Sequence, residues 1–216
     1  MSKRKSNRNL SRRTAQKEPY QMILIVCEGE KTEISYFKDL IKVEKLSSVN
    51  ITICSGCGSD PVSVVTTAIK KREEQDMYLS FDAVYCAIDR DEHKNFDQAI
   101  QQARDNDIKL IVSYPSFEYW YLCHFHYSRS PIVRTNNRSP GDNCIHILKP
   151  KWKNELNEEY EKNIENPYTK LNKYIDQALT NAKNALKDAE SNQEPNPSTR
   201  VHELVDVLRS IKKVKC

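Results

Sequence analysis

Residues 23–37 read ILIVCEGEKTEISYF, and the fold turns on how this stretch is understood. The apolar run that ends at Cys27 begins at Met22, which is too short for a helix and rich in β-branched residues, so it predicts a buried strand. Glu28, Gly29, Glu30 and Lys31 interrupt it. From Thr32 to about Lys45, Ile34, Phe37 and Ile41 then recur at helical spacing. A strand apolar on both faces that runs straight into a helix is how a parallel α/β sheet begins. The carboxylate of Glu28 stands where the buried strand must end.

The alternation continues downstream. Val49–Cys54 predicts a second strand, and the turn SGCGSDP leads to a helix from Pro61 to about Gln75, with proline at its first position. Phe81–Ile88 predicts a third strand that exits into DRDEH, followed by a helix over about Asn95–Asn106 and a fourth strand at Ile108–Ser113. Next comes YPSFEYWYLCHFHY, an aromatic helix that starts near Pro115 and Ser116. The fold class is therefore α/β, with a mostly parallel central sheet and flanking helices. Residues 128–150 are polar and turn-rich and predict an excursion, while 151–216 predict a helical C-terminal region packed on the 19–127 core. Within that region YTKLNKYIDQALTNAKNALKDAE predicts one long helix, and Ser198 or Thr199 is placed to cap the last one.

Charge is unevenly distributed. Residues 1–17 hold seven basic side chains and no acid, which leaves 27 basic against 30 acidic side chains in the rest. A basic tail over 1–18, expected to be disordered, precedes a slightly acidic body. Such a tail serves as a solubilising arm or as a contact to nucleic acid. The longest apolar run is far below the span of a bilayer, and seven cysteines, an odd number, suit a reducing cytoplasm. Cys54 and Cys57 have C-x-x-C spacing, but no second pair follows at a zinc-like distance.

In parallel sheets ligands gather beyond the carboxyl ends of the strands, and those ends are where the acids lie. Glu28 leaves the first strand, Asp89 and Asp91 leave the third, and Glu118 opens the helix after the fourth. Asp89 and Asp91 are two apart and face one way in extended chain. Carboxylates crowded into one crevice repel each other, and a divalent cation relieves that conflict. Oxygen ligands alone select magnesium or manganese over zinc. Such an ion supports phosphoryl transfer or phosphodiester hydrolysis. Glu33 is placed to support the site or to favour its helix start, and Lys31, Lys94, His93 and Arg90 are cations within reach of a phosphate. His124 lies on the aromatic helix with Glu118, as a core histidine or a supporting one. Gly56 and Gly58 before a helix bare backbone N–H groups to a phosphate or simply make a tight turn.

CEGEKTEISYF followed by AIDRDEH resembles the Toprim signature. More narrowly, E-G-x-x-T-E-x-x-Y-F at Glu28–Phe37, D-x-D at Asp89–Asp91, F-E-x-W-x-L-x-H-F at Phe117–Phe125 and N-P-S-T-x-V-H-x-L-V at Asn196–Val205 resemble the RloB-like family of restriction and abortive-infection loci. The resemblance implies a Toprim-like Rossmannoid core, with Glu28 as general acid or base and as a metal ligand. It implies that Asp89 and Asp91 hold Mg2+ or Mn2+, with Glu33 beside them. It further implies a nuclease acting on DNA or RNA in phage defence, with an RloA-type AAA ATPase as partner. Alternatives from other classes are a silent adaptor that binds nucleic acid or the ATPase, and a phosphoryl transferase acting on a small nucleotide.

Overall fold

A computed structural model describes residues 21–46, 51–56, 58, 60–76, 80–90 and 95–213. The basic tail, Asp91, His93, Lys94 and Cys57 lie outside the described residues. The elements are β1 (Ile23–Cys27), α1 (Thr32–Val43), β2 (Ile51–Ser55), α2 (Pro61–Asp76), β3 (Ala83–Asp89), α3 (Phe96–Asp105), β4 (Lys109–Tyr114) and α4 (Glu118–Phe125). Beyond them come α5 (Pro140–Leu156), α6 (Pro167–Leu171), α7 (Ile175–Asn192), β5 (Ser198–Thr199) and α8 (Val201–Lys213). The five strands form one sheet in the order β2-β1-β3-β4-β5. β1 to β4 are parallel, and β5 runs antiparallel to β4. This is the mostly parallel, Rossmann-like α/β architecture that the strand–helix alternation predicts.

Side chains alternate across the sheet, so each strand feeds two cores. Leu24, Val26, Val84, Cys86 and Ile88 point to one face, against Val64, Val65 and Ala68 of α2 and Ala99 and Ala103 of α3. Ile23, Ile25, Cys27, Tyr85, Ala87 and Ile111 point to the other, where α1, α4 and the C-terminal helices cover them. That second core is aromatic. Tyr36, Phe37, Phe117, Trp120, Tyr121, Trp152, Tyr160 and Tyr168 are buried in it, and most of their ring pairs meet edge to face, the arrangement their quadrupoles favour. The C-terminal region therefore completes the core of the sheet.

Three sequence expectations need correction. The polar excursion is shorter than 128–150, because α5 begins at Pro140. Ser139 and Asp142 form a capping box there, with each side chain bonded to the other's backbone N–H, and the helix runs on through Pro150. The long helix expected over 168–190 is divided into α6, a single 3-10 turn at Asn172–Tyr174, and α7. Tyr168 and Leu171 pack towards α1 while α7 packs along α4, and the break lets the chain serve both. The C-terminal region is not all helical, since Ser198 and Thr199 form β5 beside β4, and from there Thr199 Oγ1 accepts the Val201 N–H at 3.2 Å, in keeping with the expected cap. At the β2–α2 turn, Asp60 accepts from the backbone N–H groups of Val62 and Ser63, which favours the tight-turn reading of that loop. Among the described residues no helix is long and apolar enough to cross a membrane.

Candidate active site

Register sets the site. Ile23 of β1 pairs with Ala83 of β3, so the two neighbouring strands run level and leave the sheet side by side. The Glu28 N–H donates to the Ala87 carbonyl at 2.9 Å, extending the ladder by one residue. The Glu28 side chain then crosses the top of the sheet, and its Oε2 accepts the Asp89 N–H at 2.9 Å. Two acids 61 residues apart in the chain are thereby held at one spot.

That spot is the floor of a cavity of about 480 Å³ lined by Glu28, Glu33, Asp89 and Glu118, with Lys31 and Lys162 also bordering it. The N-termini of α1, α4 and α5 all meet it, through Thr32 and Glu33, Glu118, and Gly141 with its cap Ser139. Each brings the partial positive charge of a helix start. The cavity thus combines fixed carboxylates with the kind of field that attracts phosphate.

Glu33 is 5% exposed, and its Oε1 accepts the Gly29 N–H at 3.3 Å. Burial pushes its carboxyl up to about 7, and the negative charges of Glu118 and Glu28 add to the rise. A Cβ at Gly29 would overlap the Glu33 carboxyl, so any larger residue there would force that carboxyl to shift. Glu118 is 4% exposed and doubly held, accepting from Ser116 Oγ at 2.6 Å and from Tyr160 OH at 3.3 Å. The Cys144 thiol is pushed up by burial and by the charge of Glu118, so it stays protonated and is no nucleophile.

A segment between α5 and α6 closes one side. Thr32 Oγ1 donates to the Lys162 carbonyl at 3.1 Å, and Ser35 Oγ to that of Ile164 at 3.4 Å. These bonds place Lys162 on the cavity rim, across 130 residues of sequence. Neither Lys162 nor Ser139 and Asp142 is signalled as a site residue by the sequence, although the S-x-x-D pattern at Ser139–Asp142 marks a helix start.

Of the residues singled out from the sequence, Glu28, Lys31, Glu33, Asp89 and Glu118 come together around the cavity. Asp91 and Lys94 lie outside the described residues. His124 does not line the cavity. It sits on the same helix as Glu118 but about 9 Å further along, fully buried, with Nδ1 bonded to the Trp120 carbonyl at 3.0 Å. Burial lowers its pKa to about 3, so it is a neutral core residue.

The family model described as RloB-like protein matches residues 23–208. The chain belongs to the RloB-like family. No curated protein and no solved structure matches it. All four motifs that carry the resemblance lie inside the matched region of this RloB-like chain.

The resemblance implies a divalent ion at this site. Among the described residues no three Asp, Glu, His or Cys side chains stand together as a ready-made metal cage. Magnesium does not require one, because it is usually held by one or two carboxylates with waters and substrate phosphates completing the shell. Glu28 and Asp89 offer oxygen ligands of that kind, and a cation there would offset the charges of Glu118 and Glu28 that add to the rise burial gives the Glu33 carboxyl. The residues present fit a hard divalent cation.

Proposed function

We propose that this RloB-like chain is a magnesium- or manganese-dependent nuclease that hydrolyses phosphodiester bonds of DNA or RNA, acting as the effector of an anti-phage abortive-infection system with an RloA-type AAA ATPase. The observation that carries the reading is the Glu28 side chain reaching across to the backbone of Asp89, inside a cavity shared with Glu33, Glu118 and two lysines. Oxygen donors for a cation, a base, and positive charge for a phosphate are all within that one space.

Glu28 and Asp89, with Asp91 following on the same chain segment, would hold the ion, which when bound supplies Lewis-acid charge against the phosphoryl oxygens. Glu28 is the proton acceptor for the attacking water, since its carboxylate is fixed at Oε2 by the Asp89 N–H. The water oxygen bonds to phosphorus, its proton passes to Glu28, and the ester P–O bond breaks so that the leaving oxygen takes up a proton. Glu33, with its carboxyl raised to about 7, lines the same cavity and holds or releases a proton close to neutral pH, so it can supply the proton that the leaving oxygen takes up. Glu118, locked by Ser116 and Tyr160, keeps the far wall of the cavity in place. Lys31 and Lys162 offset the charge of the phosphate that enters.

The test is cleavage of DNA and RNA oligonucleotides by the purified chain, with and without its ATPase, in Mg2+, Mn2+ or chelator. Metal-dependent cleavage should fall by about 10²- to 10⁴-fold in Glu28→Gln and Asp89→Asn while the fold is kept. Nucleic acid that is bound but left intact by the wild type under every condition would identify the adaptor instead. Turnover of a free nucleotide beside intact nucleic acid would identify the transferase.

A further inference from the structure

The charges of α1 are sorted by face. Residues 31–45, α1 with the residues at its two ends, contain three acids, Glu33, Asp39 and Glu44, and all three are buried. Asp39 accepts from the backbone N–H and the hydroxyl of Thr169 at 2.7 and 3.0 Å, and Glu44 accepts from Tyr168 OH at 2.6 Å. Asp39 and Glu44 are thus used up in docking α6, and Glu33 is turned into the carboxylate cavity. The cations are turned outward. Lys31, Lys38, Lys42 and Lys45 are exposed, and none makes an ion pair among the described residues.

Their spacing is the informative part. At 100° per residue, positions 31, 38 and 42 fall within about 40° of one another on the helix surface, and Lys45, just past the end of α1 with a left-handed backbone, borders the same hollow as Lys38 and Lys42. They make one stripe. Its first member, Lys31, is on the rim of the carboxylate cavity. The last three border a second hollow of about 510 Å³, floored by Ile41, Leu46, Ile51 and Ile53 against the edge strand β2. From Lys31 to Lys42 the stripe runs about 17 Å, at ~1.5 Å per residue. The stripe is long enough to meet several backbone phosphates, which rise only about 3.4 Å per nucleotide along a duplex axis. A solubilising surface would mix both signs of charge along the helix. Glu30 is exposed just before Lys31, but from Lys31 to Lys45 the exposed charges are all cationic, and the run begins at the cavity where a phosphodiester would be cut.

We propose that the outward face of α1 is the track along which the nucleic-acid backbone runs to the site, with Lys38, Lys42 and Lys45 binding phosphates beyond the scissile bond and Lys31 delivering the strand to the cavity. The proposal rests on the nuclease reading for the position of the cut, and it concerns a surface rather than the catalytic groups. Binding through it is electrostatic and independent of sequence, since every contact is a lysine against a phosphate.

The experiment measures binding of a fluorescent 20-nucleotide DNA and its RNA counterpart, single-stranded and duplex, to the full chain across a range of salt. The variant is Lys38→Gln/Lys42→Gln/Lys45→Gln. The matched control is Lys173→Gln/Lys183→Gln/Lys187→Gln, which removes the same charge from exposed positions of the C-terminal helical region. The α1 variant should lower the slope of log K against log salt by about 2 to 3 and weaken binding about tenfold or more at low salt. The control should leave the slope within about 1 of the wild type. A slope unchanged in the α1 variant overturns the track and assigns the affinity to another surface, such as the basic tail. So does equal loss in variant and control, or a slope of the same size on anionic phosphatidylserine vesicles or polyglutamate. Glu28→Gln separates the two proposals. If it stops cleavage while keeping the wild-type salt slope, both stand. If the wild type never cleaves but binds through α1, the nuclease reading fails and the track survives. If the wild type cleaves and the α1 variant binds and cleaves as well, only the track is lost.

Discussion

The two faces of the sheet are built from different materials. The α2 and α3 side is aliphatic and small, with Val64, Val65, Ala68, Ala99 and Ala103 meeting alternate residues of the strands. The α1 and α4 side is aromatic, and it also holds most of the polar atoms buried without a partner among the described residues, those of Tyr36, Trp120, Tyr121 and His124. The carboxylate cavity opens at the end of this second side, and its buried acids Glu33 and Glu118 belong to α1 and α4. One face supplies cohesion. The other accepts costly burial of polar groups and carries the chemistry, as expected where a site has to be rigid and electrostatically tuned.

Removing a ring from the aromatic face should have the largest effect on the fold. Trp152 is fully buried, contacts the Tyr160 ring at 5.2 Å between centroids, and donates to Glu158. Trp152→Ala should cost about 3–5 kcal/mol in chemical denaturation. It should also disturb metal-dependent cleavage, because Tyr160 steadies Glu118. A stable Trp152→Ala protein with a normal site would break the link between aromatic core and cavity.

Glu33 gives a smaller effect with a definite sign. Its carboxyl titrates near 4.5 when unfolded and at about 7 when folded, so between those values the folded state holds the proton that the unfolded state has released. The contribution of Glu33 to stability is therefore full below about pH 4.5, falls as pH rises, and levels off above about pH 7. Glu33→Gln lacks this slope and can still accept the Gly29 N–H. The stability of the wild type relative to the variant should drop by up to about 3 kcal/mol between pH 4.5 and 8. His124 acts in the opposite sense, losing stability as pH falls through about 6.5, but it is common to both proteins and cancels in the difference. A flat difference would mean that Glu33 is solvated. The smallest change belongs to the aliphatic face, where Ile108→Val should cost about 0.5–1.5 kcal/mol and leave cleavage unaltered.

The same division explains what could be read from the sequence. The aliphatic face is made of neighbours in the chain, so apolar runs and helical spacing reveal β1, α2, β3, α3 and β4 almost as they stand. The strand exits follow from those runs, and with them Glu28, Asp89 and Glu118. The other face is closed by residues more than 100 positions away. Thr32 bonding to Lys162 and Tyr168 bonding to Glu44 leave no mark in local pattern. For that reason nothing in the sequence around Lys162 marks it as a residue of the cavity rim. His124 shares a helix with Glu118, so sequence alone leaves it core or supporting, and nearly two turns of helix carry it into the core. The break between α6 and α7 was hidden likewise, since helix-favouring residues run through it and only the two packing partners, α1 and α4, reveal the change of direction.

The most direct measurement is a crystal of the chain soaked in manganese, read by the anomalous signal of the ion. A single strong peak about 2.1 Å from carboxylate oxygens of Glu28 and Asp89, and absent in Asp89→Asn, is the result expected. No peak in the cavity, or an ion bound only elsewhere, would contradict a metal-dependent site at the strand exits.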